Sequence, residues 1–168
     1  MKTLMKDPNG YEISNPPNKT QRKFILNILI PAILREQGRR FIMDTWKDTI
    51  TPEMIGEYYD FDGIDSIVTK KDCGTVCCIG GTMEVLTRKR GFSSLSKHIG
   101  LTEYEADALF SNWQNFYPGE LSWPAKYMSY FSKAKTRYQK AKVAARLLKK
   151  IADEGGKCLH SSRLSSHS

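Results

Sequence analysis

Residues 136–153 read TRYQKAKVAARLLKKIAD, and this stretch decides the fold class. At about 100° per residue, Tyr138, Ala141, Ala145, Leu148 and Ala152 share one face of a helix, with Ala144 and Ile151 beside it. Lys135, Lys142, Arg146, Lys149 and Lys150 gather on another face, within an arc of about 100°. Arg137 and Lys140 fall towards the packing side. A segment of this kind buries one side and presents a cationic ridge to solvent, and Gly155–Gly156 stops it.

The same helical period recurs upstream. A first helix starts near Thr20 and runs through Phe24, Ile25, Ile28 and Leu29, Pro31 kinks it before Ile33 and Leu34, and Gly38 ends it. Thr51–Pro52–Glu53 opens a short helix through Met54, Ile55 and Tyr58. Residues 60–72 read as a loop with room for one short extended piece near Ile67, Val68 and Thr69. Thr75 is placed to cap a helix over 76–87, with Glu84 and Arg88 as an i,i+4 pair. Two shorter patterns follow at 93–99 and 103–113, and a helical pattern resumes after Pro124. The expectation is an all-α, compact single domain of six or seven helices over residues 19–156. Residues 1–18, rich in turn residues, read as a flexible N-terminal arm, and residues 157–168 as a disordered tail.

Charge is distributed unevenly. The chain carries 26 Lys or Arg against 18 Asp or Glu, a net of +8 over 168 residues. Between Leu121 and Ala152 lie nine of those cations and no acid: Lys126, Lys133, Lys135, Arg137, Lys140, Lys142, Arg146, Lys149 and Lys150. The remainder is close to neutral, so the positive field belongs to one segment. Such a field attracts polyanions and speeds encounter with them. The competing reading is a solvated face that serves solubility, although such faces normally mix signs. Arg88, Lys89 and Arg90, together with Arg39–Arg40 and Lys70–Lys71, are further cations available to the same surface.

No apolar run reaches bilayer length, since the longest, residues 24–34, is broken by Asn27 and Pro31. Residues 1–17 lack a signal-peptide core. A soluble, cytoplasmic protein with reduced thiols is expected, because Cys73, Cys77 and Cys78 crowd together without a spaced disulfide framework.

That cysteine cluster has three readings. Cys73 or Cys77 at a helix start could act as a nucleophile with His98 as base. Cys73, Cys77 or Cys78, His98 and Cys158 could supply four zinc ligands. The plainest reading is a buried helix start, where reduced cysteine is a small apolar residue and Gly74, Gly80 and Gly81 permit close approach.

Residues 95–109 have the rhythm of a helix-turn-helix around Gly100, yet the second helix brings Glu103, Glu105 and Asp107 rather than base-reading side chains. A plain helical hairpin fits better. Asp60, Asp62 and Asp65 lack the glycine spacing and closing Glu of a calcium loop.

CGTVCCIGG (73–81), GLTEYEADALF (100–110), Trp123–Pro124 and the lead Phe41-Ile-Met-Asp-Thr-Trp46 together resemble a family of small bacterial and phage proteins. Its members share a Cys-Gly-Thr-x-x-Cys-x-x-Gly helix start and a Gly-Leu-Thr-x-x-x-Ala-x-x-Leu-Phe segment. The resemblance covers about residues 41–156 and implies Cys73, Cys78 and Gly81 as motif positions. Where many members carry His, this chain has Thr82.

The leading functional expectation is a non-enzymatic binding protein, in the setting of a phage accessory or host-interfering factor. Its polyanion-binding residues are Lys135, Lys142, Arg146, Lys149, Lys150, Arg88, Lys89 and Arg90. Nucleic acid, a nucleotide or an acidic protein surface would be the partner, with no cofactor and no membrane. The alternatives are a cysteine-dependent hydrolase or transferase using Cys73 or Cys77 with His98, and a helical interaction module whose charge serves solubility.

Overall fold

The computed structural model describes residues 3–43, 47–49, 75–110 and 121–160. The fold is all-α with two small antiparallel two-stranded sheets among the described residues. In chain order the elements are β1 (Met5–Lys6), β2 (Glu12–Ile13), α1 (Lys19–Phe24), a π-helical segment (Ile25–Leu29) and α2 (Ile30–Gly38). Then come β3 (Lys47–Thr49), β4 (Thr75–Cys77), α3 (Ile79–Thr87), α4 (Phe92–Ile99), α5 (Glu103–Phe110), α6 (Ala125–Lys133), α7 (Arg137–Glu154) and a closing 3-10 turn (Gly155–His160).

Helix α7 organises the core. Thr136 caps it, accepting from the Gln139 amide, while the Gln139 side chain reaches back to the Thr136 N–H. Leu147, Leu148 and Ile151 are wholly buried, each contributing about 1.5–3 kcal/mol of hydrophobic stabilisation. The alanines let neighbours approach closely. A Cβ on Gly38 would stand 2.7 Å from that of Ala141, so the end of α2 lies almost on the α7 surface. Arg137 and Lys140 turn inward as the wheel requires. Arg137 Nη1 donates to the Arg39 carbonyl at 2.6 Å, and Lys140 lies over the Phe131 ring.

The expected break at Pro31 takes a specific form. Pro31 has no N–H and its ring crowds the preceding turn, and the chain adapts by widening to π geometry just before it, with Ile30 N–H reaching Ile25 O. Asn18 and Gln21 form a reciprocal cap at the start of α1. The Gln21 amide then donates to the Lys97 carbonyl at 2.9 Å, tying α1 to the end of α4. Trp123 is buried against Phe131 edge-to-face and donates to the Leu109 carbonyl at 3.2 Å, joining α5 to the α6 entrance.

Three expectations are corrected. Residues 3–18 are not a loose arm. They form the β1–β2 hairpin, where Asp7 Oδ1 accepts from the Asn9 and Tyr11 amides, and Asp7, Ile13 and Ser14 are buried. Residues 157–160 are not a disordered tail either, because Cys158, Leu159 and His160 are buried. Thr75 does not cap a helix. Residues 75–77 pair with β3, and Cys78 is the cap of α3, its sulfur accepting from Gly81 N–H at 3.5 Å. The short extended segment near Ile67 and Thr69, the helix after Thr51 and residues 161–168 lie outside the described residues.

Candidate functional site

The last two helices enclose a groove of about 300 Å³ lined by Tyr130, Lys133, Ala134, Gln139, Lys142, Val143 and Arg146. Helix α6 ends at Lys133, the chain turns through Ala134, and α7 returns alongside it. The turn thus brings Lys133 opposite Lys142 and Arg146. Among the described residues no acid lines the groove. Gln139 Oε1 is occupied by the Lys135 and Thr136 amides, which leaves its amide nitrogen as a neutral donor in the groove.

Of the cations expected from the sequence, the groove takes Lys142 and Arg146. Lys149 is exposed on the same α7 stripe, about 10 Å along the axis from Lys142. Lys135 is exposed just before the helix. Lys150 is turned aside and pairs with Glu154 at 3.8 Å. Arg88, Lys89 and Arg90 follow α3 and line no part of this groove. Arg90 approaches Glu84 at 3.9 Å, and Lys89 Nζ lies 3.4 Å from His98 Nδ1.

Two contributors lay inside the acid-free window but were not singled out: Lys133 and Tyr130. Their signal is position, since both fall at the end of the helix that turns into α7. Tyr138 also departs from expectation. It lies on the solvent side, 39 % exposed, with Lys142 Nζ 4.6 Å above its ring. A tyrosine at the border of the wheel's apolar arc can face either way, and the cation–π contact holds it outward.

The cysteine–histidine alternative gains no geometry. Cys73 lies outside the described residues, and Cys77 belongs to β4 rather than to a helix N-terminus. His98 sits edge-on to Phe24, and burial followed by the nearby Lys89 charge lowers its pKa from the ordinary 6.5. Burial raises the Cys78 thiol and pushes that of Cys158 up to about 12, so neither is a ready thiolate. Among the described residues no group of His, Cys, Asp and Glu is arranged to hold a metal ion.

The helix-turn-helix rhythm at 95–109 resolves as two helices, α4 and α5, with Glu105 turned wholly inward. There it meets an unexpected partner. His160 Nε2 lies 2.8 Å from Glu105 Oε2 and His160 Nδ1 lies 2.8 Å from Asp7 Oδ2, with none of the three side chains exposed. Burial alone would lower the His160 pKa. The bonds and charges of Glu105 and Asp7 outweigh it and leave the pKa raised, which favours the imidazolium, the form that donates to both carboxylates. Burial likewise pushes Glu105 up, and hydrogen bonds from His160, Thr102 and Ser14 pull it below its ordinary value. Gly155 (φ +78°) and Gly156 fit this site sterically. A Cβ on Gly156 would overlap the Glu105 carboxylate, and one on Gly155 would come within 2.6 Å of the Asn15 carbonyl. With both ring nitrogens engaged and no exposure, this trio is a clamp between chain segments rather than a reactive centre.

Compared with protein-family models, curated proteins and solved structures, the chain matches none.

Proposed function

We propose that this protein binds phosphate-bearing polyanions, nucleic acid or nucleotide, through the α6–α7 groove and the cationic stripe that continues from it. The observation that carries this reading is the convergence of Lys133, Lys142 and Arg146, from two helices, on one groove that no acid among the described residues lines. Cations gathered from separate elements reach successive phosphates and release the counterions condensed around them, which is the main source of affinity for nucleic acids. Insertion of α7 into a membrane surface is disfavoured by packing, because Leu147, Leu148 and Ile151 are wholly buried in the core. No described helix is long and apolar enough to cross a membrane. A phage accessory or host-interfering role is in keeping with such binding and rests on the resemblance of residues 41–156.

The test is a salt-titrated anisotropy assay with labelled oligonucleotides and with nucleotides. Affinity should fall linearly in log–log form as salt rises, and the combined Lys142→Ala, Arg146→Ala and Lys149→Ala variant should bind more weakly with a shallower slope. Absence of binding at low salt, or binding unchanged in the triple variant, overturns the reading.

A further inference from the structure

Simple charge attraction leaves the aromatic residues of this surface unexplained. Tyr130 is 42 % exposed and stands in the wall of the groove among its cations rather than in the core. Its ring has Lys126 Nζ at 5.9 Å from the centroid and the Tyr127 ring edge-on at 6.5 Å, so it is held in place on the surface. Tyr138 repeats the arrangement one turn before Lys142, half-exposed and covered by that lysine.

Rings therefore stand among cations at helical spacing: Lys126, Tyr130 and Lys133 on α6, then Tyr138, Lys142, Arg146 and Lys149 on α7. An anion without a ring system would use the cations and ignore the tyrosines. A duplex would do the same, because its bases are already stacked on one another. A strand with unpaired bases uses both, stacking bases on aromatic faces while its phosphates follow the cations. The groove, at about 300 Å³, is at the small end of ligand pockets and suits one base with its phosphate. From Lys142 to Lys149 the stripe then extends about 10 Å, the reach of a short run of nucleotides.

Resting on the polyanion-binding reading above, we infer that the α6–α7 groove takes single-stranded nucleic acid, one base stacking on Tyr130 and the adjoining phosphates lying against Lys133, Lys142 and Arg146. Tyr138, already under the Lys142 ammonium, steadies that lysine beside the path of the strand.

The experiment compares labelled oligo(dT), oligo(rU) and a duplex of equal length by anisotropy, with inorganic polyphosphate of matched charge as competitor. The single strands should bind at least tenfold tighter than the duplex. Tyr130→Ala should weaken strand binding about tenfold, Tyr130→Phe should preserve it, and neither should alter the dissociation constant of polyphosphate extracted from the competition. Tyr130 is exposed enough for both variants to fold. Equal affinity for strand and duplex, or strand binding unchanged in Tyr130→Ala, overturns this inference while the polyanion reading stands. Binding to none of the probes overturns both. The two single-stranded arms separate a DNA preference from an RNA preference.

Discussion

His160 and Glu105 are joined, Nε2 to Oε2, across 2.8 Å in an interior where neither side chain is exposed. Through this bond the closing 3-10 turn is fastened to α5, and through its other nitrogen His160 holds the N-terminal hairpin as well. Removing the ring would leave two carboxylates buried without their shared cation. His160→Ala should lower stability by about 3–5 kcal/mol, the range for breaking a buried ion pair from one side. Urea unfolding followed by circular dichroism measures this, and a loss within 0.5 kcal/mol or so would mean that the clamp adds little.

The same clamp gives stability a pH profile. Glu105 is held below its ordinary 4.5, so its contribution is complete above about that pH and is lost as pH falls through the lowered folded value. His160 is held above its ordinary 6.5, so its contribution is complete below about that pH and is lost as pH rises through the raised folded value. Both act together between pH 4.5 and 6.5. The melting temperature should plateau there and decline on either side, with the alkaline decline flattened in His160→Ala. A melting temperature that climbs steadily from pH 6 to pH 8 would contradict the assignment.

Gly156 has no room for a side chain. In Gly156→Ala the new methyl would displace the Glu105 carboxylate from His160, and the backbone cannot retreat because Gly155 is already against Asn15. A loss of about 1–3 kcal/mol is expected from overpacking alone. Since both substitutions strike the same contact, a double-mutant cycle with His160→Ala should be strongly non-additive. Simple additivity would show that Gly156 acts elsewhere.

The cation stripe and the core face of α7 should separate cleanly. Lys142→Ala with Arg146→Ala removes exposed side chains, so folding stability should change by less than about 0.5 kcal/mol per site while polyanion binding weakens. Leu147→Ala, one position from Arg146 but wholly buried, should cost about 2–5 kcal/mol. Thermal melts beside the binding titration make the comparison.

Thiol chemistry supplies the last check. In a Cys73→Ser, Cys77→Ser background, Cys78 and Cys158 should react with a disulfide reagent only as the protein unfolds, because both are buried and their thiols are held above the ordinary range. Rapid labelling of the folded protein at neutral pH would count against this.

What the sequence disclosed depended on how local the cause was. The amphipathic period of α7, the interruption at Pro31 and the stop at Gly155 are written within a few residues of where they act, and each was legible. The groove was half legible: Lys142 and Arg146 stand out on the α7 wheel, whereas Lys133 and Tyr130 join them only because α6 folds back alongside. Thr75, Val76 and Cys77 suit a strand or a helix start equally well. Their pairing with residues 47–49 decides the matter, and local propensity carries no trace of that. Asp7, Glu105 and His160 were opaque for the same reason. A histidine in a polar C-terminal stretch looks like tail until the two carboxylates that claim it are placed beside it.

The 153 positions separating Asp7 from His160 set a schedule as well as a shape. At typical synthesis rates of 5–20 residues per second, Asp7 waits about 8–30 s for the ring that will neutralise it. Through that interval the hairpin has a carboxylate that cannot be buried without a partner, which keeps it in solvent and keeps its docking site open. The closing turn is therefore made after every other described element, and it is the piece that permits the N-terminal hairpin to dock. Docking of the hairpin and of the closing turn should therefore be one late step that neither segment can take alone.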